Sequence, residues 1–324
     1  MNRSTIASFL IAFLVGLVVA SAYFFFDSNS RKTQKKNIES IEVKIKKVSK
    51  VVPLKTSKIA DVKITGVRPK NKKIIFQATV KGGIGSLKER MKQIASEGLV
   101  EFEVNDDGLA IAFGDVILGE VDTFGDSMPK RGFNEVPSPR LWEGREIPYI
   151  IEQGLSNKKE IEIAVEYFNN NTAVRFVPFG GQEDLIVFKG GNENCYSYLG
   201  RVGGAQPIVL APECGKKEIM HEMMHAIGFI HEHSRFDRDT FVEIIWENIK
   251  PEYVSQFQLA PENLMVLILG SEFDYNSIML YPKSTFSKDK KAFTLISKTA
   301  DEIDPSEQCL SVGDIEKIYR NYGE

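Results

Sequence analysis

The chain has 324 residues, 43% of them hydrophobic, and a formal net charge of -3. That is enough apolar material for one large core or two modest ones, which excludes global disorder. The near-neutral total hides fifteen Lys or Arg between residues 31 and 73, set against Glu39, Glu42 and Asp61. This basic stretch reads as an exposed solubilising segment, with contact to anionic lipid or surface polymer as the alternative; it does not indicate nucleic-acid binding.

Residues 6–26 form an uncharged apolar run of 21 residues behind Arg3, long enough to span a bilayer as a helix. Ala20-Ser21-Ala22 resembles a signal-peptidase site, yet the run continues through Tyr23 to Phe26, so a cleaved signal and a retained anchor compete. Either places the rest of the chain outside the cytoplasm, membrane-anchored or secreted. The positive charges after the run (Arg31, Lys32, Lys35, Lys36) pull the other way under the positive-inside tendency. Residues 27–73, rich in Lys and Ser, read as a linker.

A small α+β module is expected over 74–122. Ser86-Leu87-Lys88-Glu89 has capping-box spacing, Leu87, Met91, Ile94 and Ala95 share one helical face, and Gly98 is a stop, which predicts a helix over 87–97. Strands are expected at 74–80, 100–104 and 109–113, with an Asn-Asp-Asp-Gly turn between the last two. Gly82-Gly83-Ile84-Gly85 lacks the Lys-Ser/Thr of a phosphate loop. Gly125, Pro129, Pro137 and Pro139 surround the dibasic pair Lys130-Arg131, and 123–140 reads as a boundary. Beyond it, Ser156 is the expected cap of a helix carrying Ile161, Ala164, Val165 and Phe168, followed by strands at 174–177 and 185–188.

All four histidines fall in HEMMHAIGFIHEH, His221 to His233. On a helix, His221 and His225 project from one face a turn apart, so both imidazoles reach one ion at about 2.0–2.1 Å. Glu222 is the natural general base for a water at that ion. Gly228 supplies the positive φ that ends the helix, and Phe229-Ile230 carry His231 back as third ligand. His233 has no place in this spacing and reads as a solvent-facing residue or one behind the ligands. A structural zinc site would fill four positions with Cys or His, and this motif supplies three. Three cysteines allow one internal disulfide at most; Cys195 and Cys214 can close a loop, with Cys309 left over.

HEMMHAIGFIHEHSRFDRD resembles the metzincin peptidases, in particular the long signature of the astacin family (peptidase family M12A), including Glu232, Arg235, Asp237, Arg238 and Asp239. The resemblance runs from about Leu141 to Gly323 through Trp142, Gly144, Ile147-Pro148-Tyr149, Leu310-Ser311 and Asp314-Ile315. It implies a two-lobed α+β peptidase domain at 141–324, one zinc ion per chain and polypeptide substrates. The sheet and metal helix would form an upper half, loops and a closing helix a lower half. Tyr275 to Tyr281 resembles the Met-turn, with Leu280 in place of the usual His; it implies Met279 beneath the metal and Tyr281 near it, steadying the oxyanion. CYSYLGRVGGAQ implies a Cys195–Cys214 disulfide and substrate pairing near residues 206–211. Ala173 and Gly323 stand where a second disulfide is usual, which leaves Cys309 a buried free thiol. Glu232 would pair with the freed N-terminus of the mature enzyme. Gly114-Asp115-Val116-Ile117-Leu118-Gly119 resembles the family's prosegment motif, with Ala112 at its usual Phe position. It implies that Asp115 blocks the metal, Asp126 being a poorer candidate, and that 74–140 is a prosegment and activation linker. A silent metal-binding adhesion module on the cell surface is the rival, and the intact Glu222 argues against it.

Overall fold

The computed structural model describes residues 83–120, 131–289, 291–299, 301–306 and 309–323. The apolar run at 6–26, the basic linker at 27–73, the strand expected at 74–80, Asp126 and Lys130 lie outside these. Among the described residues no helix is long and apolar enough to cross a membrane.

Helix α1 (Gly83–Ser96) opens the described chain and stops at Gly98, whose φ is 72°. Strands β1 (Leu99–Val104), β2 (Leu109–Ala112) and β3 (Val116–Glu120) follow as an antiparallel meander. Strand β4 (Arg131–Glu135) pairs antiparallel with β1 along five residues. The turn formers around Lys130-Arg131 thus border a strand that the sequence reading had taken for linker. It is an edge strand held by one neighbour.

The peptidase-like region adds β5 (Glu146–Ile151), helix α2 (Lys158–Asn171), β6 (Arg175–Pro178), β7 (Leu185–Gly190), β8 (Tyr196–Tyr198) and β9 (Ala205–Leu210). Nine described strands form one mixed sheet in the order β4-β1-β2-β3-β8-β9-β7-β5-β6. The seam is β3 against β8, parallel, with Val116 opposite Ser197 and Ile117 opposite Tyr198. The pairing expected of an edge at residues 206–211 is corrected: β9 lies inside the sheet between β7 and β8, and the edge that the N-terminal module covers is β8.

Helix α2 buries Ile161, Ala164, Val165 and Phe168, the residues its spacing selected. Its N-cap is Asn157 rather than Ser156. The Asn157 amide instead donates to the carbonyls of Ala211 and Cys214, tying the helix start to the loop beyond β9. Helix α3 (Lys216–Ala226) is buried along much of its length by Ile219, Met220, Met223, Met224 and Ala226. Strands β10 (Val242–Ile244) and β11 (Leu295–Ser297) form a separate antiparallel pair, and α4 (Val312–Tyr322) closes the described chain. Ser311 caps α4 with a reciprocal box to Asp314.

Two main apolar clusters result. One joins the sheet, α2 and α3; the other gathers Val242, Ile244, Trp246, Phe257 and Leu295 around β10 and β11, with Met91 of α1 inserted. The closing helix belongs to the first, through Ile318 and Tyr322. Cys195 and Cys214 form the disulfide, bridging a sequence separation of 19 across β8 and β9. Cys309 is free and half-buried, not buried.

Candidate metal centre

Helix α3 carries His221, Glu222 and His225, and its C-terminus is fixed by groups that satisfy its last carbonyls. Trp142 Nε1 donates to Ala226 O at 2.9 Å, Tyr322 Oη to Ile227 O at 2.9 Å, and the backbone NH groups of Gly200 and Gly228 to His225 O at 2.8 Å. Gly228 then reverses the chain at φ 104°, where a Cβ would lie 2.4 Å from Leu267 Cδ1. A side chain there would be strained by the positive φ and would have to displace Leu267, and this turn brings His231 back over the helix.

The rings are oriented from behind. His221 Nδ1 lies 2.9 Å from Ile278 O and His225 Nδ1 2.8 Å from Phe229 O, so each Nδ1–H donates outward and each Nε2 presents its lone pair inward. Ile278 is itself held by Asp314 of α4, whose carboxylate accepts from Ile278 N at 2.9 Å and Ser277 Oγ at 2.6 Å. Glu232 N donates to Met279 O at 3.0 Å, joining the third-histidine segment to the same turn.

Asp115 completes the group. The turn from β2 to β3 has φ 56° at Phe113 and 102° at Gly114, the positive values that a type I′ hairpin turn requires at both central residues. A Cβ on Gly114 would meet Gln256 Oε1 at 2.7 Å and the Tyr281 hydroxyl at 3.1 Å. Ser197 N then donates to Asp115 O at 3.0 Å, and the Asp115 carboxylate lies 3.3, 3.2 and 3.3 Å from Nε2 of His221, His225 and His231.

The spacing of these donors tests whether a metal fits. The Nε2 atoms of His221 and His231 are 3.0 Å apart and those of His225 and His231 3.2 Å. Four donors at about 2.0–2.1 Å from one zinc, tetrahedrally placed, are separated by about 3.3 Å. Inward lone pairs this close repel unless a cation lies among them. Three imidazoles and a carboxylate, half-buried or buried, fit zinc.

Burial pushes His231 down and His225 to about 4 despite the Asp115 charge. Burial opposes the Asp115 charge too, but the facing imidazoles hold Asp115 well below the usual carboxylate range. Glu222 is buried with Oε2 unpartnered; burial first, then Asp115, raises it far above a normal glutamate.

Tyr281 lies at the centre's margin, its hydroxyl 3.2 Å from Phe113 O and 3.3 Å from Gln256 Oε1. Burial, Asp115 and Glu222 raise its pKa well above 10. Met279 is buried in the main cluster. His233, which spacing left outside the motif, is fully buried and stacks on both His231 and Tyr281. Burial keeps it far below the usual imidazole range. Gln256 was missed, and no spacing rule marks it. Glu232 is held by Lys317 Nζ, with Arg235 Nη1 at 3.2 Å. In this chain an internal ammonium from α4 therefore occupies the carboxylate that the resemblance assigned to a freed N-terminus.

A three-histidine centre on a helix and its following turn, with a carboxylate beside the first ligand, defines a zinc hydrolase site. The family model for astacin, peptidase family M12A, matches residues 135–323. Zinc metalloproteinase nas-14 of Caenorhabditis elegans is 37% identical over 189 residues, 56% of this chain and 37% of that protein. Zinc metalloproteinase nas-6 of the same organism is 38% identical over 200 residues, 58% of this chain and 56% of its own length. Among solved structures, high choriolytic enzyme 1, a hatching enzyme zinc-protease from Oryzias latipes, is 31% identical with a TM-score of 0.51. That alignment covers 56% of this chain and 94% of that one. The chain belongs to the astacin family. The alignments span 37% and 56% of the two nematode proteins, so these relatives contain further sequence beyond the shared domain.

Proposed function

We propose that this chain is a zinc endopeptidase made as a latent precursor, with residues 74–140 as prosegment and activation linker. The observation that supports it most is the tetrahedral spacing of His221, His225, His231 and Asp115 beside a buried, unpartnered Glu222. His221, His225 and His231 would hold the zinc, which would supply Lewis acidity toward the scissile carbonyl and a bound water. Glu222 takes the water's proton on its carboxylate and delivers it to the departing amine. The Tyr281 hydroxyl hydrogen-bonds the oxyanion. Asp115, within 3.3 Å of all three Nε2 atoms, would take the ligand position that a water needs, and its departure would open the site. The disulfide and the apolar run at 6–26 support an extracytoplasmic place, anchored or secreted.

The test is cleavage of unfolded casein by the full chain before and after limited trypsin treatment, with zinc quantified. The opened chain is expected to be active, and Glu222→Gln to lose about 100-fold or more in rate with zinc retained. Equal zinc with no activity in the unmutated chain would favour a silent metal-binding module. Asp115→Ala is expected to raise the activity of the uncut precursor; no rise would sink the latency reading.

A further inference from the structure

Tyr281 sits in an aromatic socket. The His233 ring lies against its face, centroids 3.8 Å apart and planes 26° from parallel. Phe257 and Phe286 meet it edge-on, each at 5.6 Å and inclined by 74° and 79°. The Phe286 backbone holds φ 56°, a left-handed conformation that costs a non-glycine residue on the order of 1–2 kcal/mol and that here accompanies its place in the socket. The socket is also pinned from below. Arg238, fully buried, donates through Nη1 to His233 O at 2.5 Å and Phe257 O at 2.6 Å, so two of the three walls hang on one guanidinium.

His233 is an unusual wall. Both ring nitrogens are buried, and neither makes a hydrogen bond of normal geometry with the protein, the Gln256 backbone being the polar group nearest to acting on the ring. Its ring contacts are with flat rings: His231 at 4.9 Å, Phe257 at 5.8 Å and Tyr281. The face of the imidazole is therefore what the site uses. A phenol with one face and its flanks contacted is held against tilting, and its hydroxyl lies 3.2 Å from the Phe113 carbonyl with the His231 ring 5.4 Å from its own.

We infer that His233 is a positioning residue for Tyr281, a flat stage that holds the phenol where its hydroxyl serves the reaction. This rests on the proposed role of Tyr281. The test uses the full chain opened by limited trypsin, the trypsin then inhibited, with initial rates on unfolded casein. His233→Ala is expected to lower kcat by about tenfold or more with KM within about twofold, and His233→Phe, which keeps a flat ring, to stay within about threefold of the unmutated chain. In a Tyr281→Phe background, His233→Ala is expected to cost less than about twofold further. Equal losses from His233→Ala in both backgrounds, or a Phe variant as poor as Ala, would overturn this proposal alone. An undiminished kcat in Tyr281→Phe would overturn the tyrosine reading and this one with it. An independent readout needs no turnover: with 3-fluorotyrosine at position 281 of the uncut chain, His233→Ala is expected to move the fluorine resonance as the imidazole ring current is lost. An unmoved resonance overturns the stacking.

Discussion

Helix α3 and the β2–β3 hairpin bring ligating side chains to one point by different means. The histidines come from eleven consecutive residues, 221 to 231, and are placed by helical spacing, by the Gly228 turn and by carbonyls behind each ring on α3. Asp115 comes from more than a hundred residues away and is placed by long-range contacts. These are two residue pairs of parallel strand between β3 and β8, the Ser197 N–H, and apolar burial of Ala112, Phe113 and Val116. Further out, the Gln258 amide accepts from Glu101 N and donates to Glu101 O, both at 2.8 Å, and Lys88 and Lys92 of α1 reach Asp239 at 2.9 and 3.7 Å. A ligand set built locally persists when distant chain departs. A carboxylate delivered over long range depends on several separable ties.

If that contrast holds, perturbing the seam should free the module and leave the histidine centre intact. The largest effect is expected from replacing Cys195 and Cys214 together by Ser. The loop they close is worth about 3 kcal/mol, and β8 and β9 lie inside it. The thermal midpoint of the full chain should fall, with zinc content unchanged; loss of zinc would show the centre to depend on the seam. Gln258→Ala removes two hydrogen bonds to β1 at a cost of about 1–3 kcal/mol. It should speed proteolysis of the N-terminal module and spare the opened enzyme. Lys88→Ala should have the smallest effect, under about 1 kcal/mol and weaker in high salt, because the lysine is half-exposed and Asp239 keeps Arg238 and Lys92 beside it. Burial opposes ionisation of Asp239, but Lys88, Arg238 and Lys92 hold its pKa below 3.8. Its contribution is thus present above pH 3.8 and is lost as pH falls through the lower folded value. Acid melts should show that loss in the unmutated chain and not in Asp239→Asn.

The local half was the legible half. Periodicity found the buried face of α2, and the His-Glu-His spacing with Gly228 and His231 singled out the three histidines that the structure brings together, because both are written in residues a turn or two apart. Asp115 was legible only through a short motif, since nothing in its neighbours' chemistry announces residue 197 as a partner. Strand β4 was hidden by the turn formers that border it, for an edge strand needs only one neighbour and little apolar pattern. Spacing excluded His233 from the ligands and left it either solvent-facing or behind them; the structure puts it behind them, stacked on His231, because it contributes a flat face rather than a lone pair. Lys317 reads as a helix-surface charge and is buried because Glu232 awaits it from a distant segment.

The clasp at Gln258 touches Glu101 only at its peptide group, and a peptide group is the same in every residue but proline. The hold of Gln258 on β1 is therefore blind to which side chain stands at 101, whereas Gly114 faces Gln256 and Tyr281 so closely that a Cβ would meet both. Lineages of this chain should co-inherit the glycine at 114 with the tyrosine it faces, since a side chain at one would have to be answered at the other.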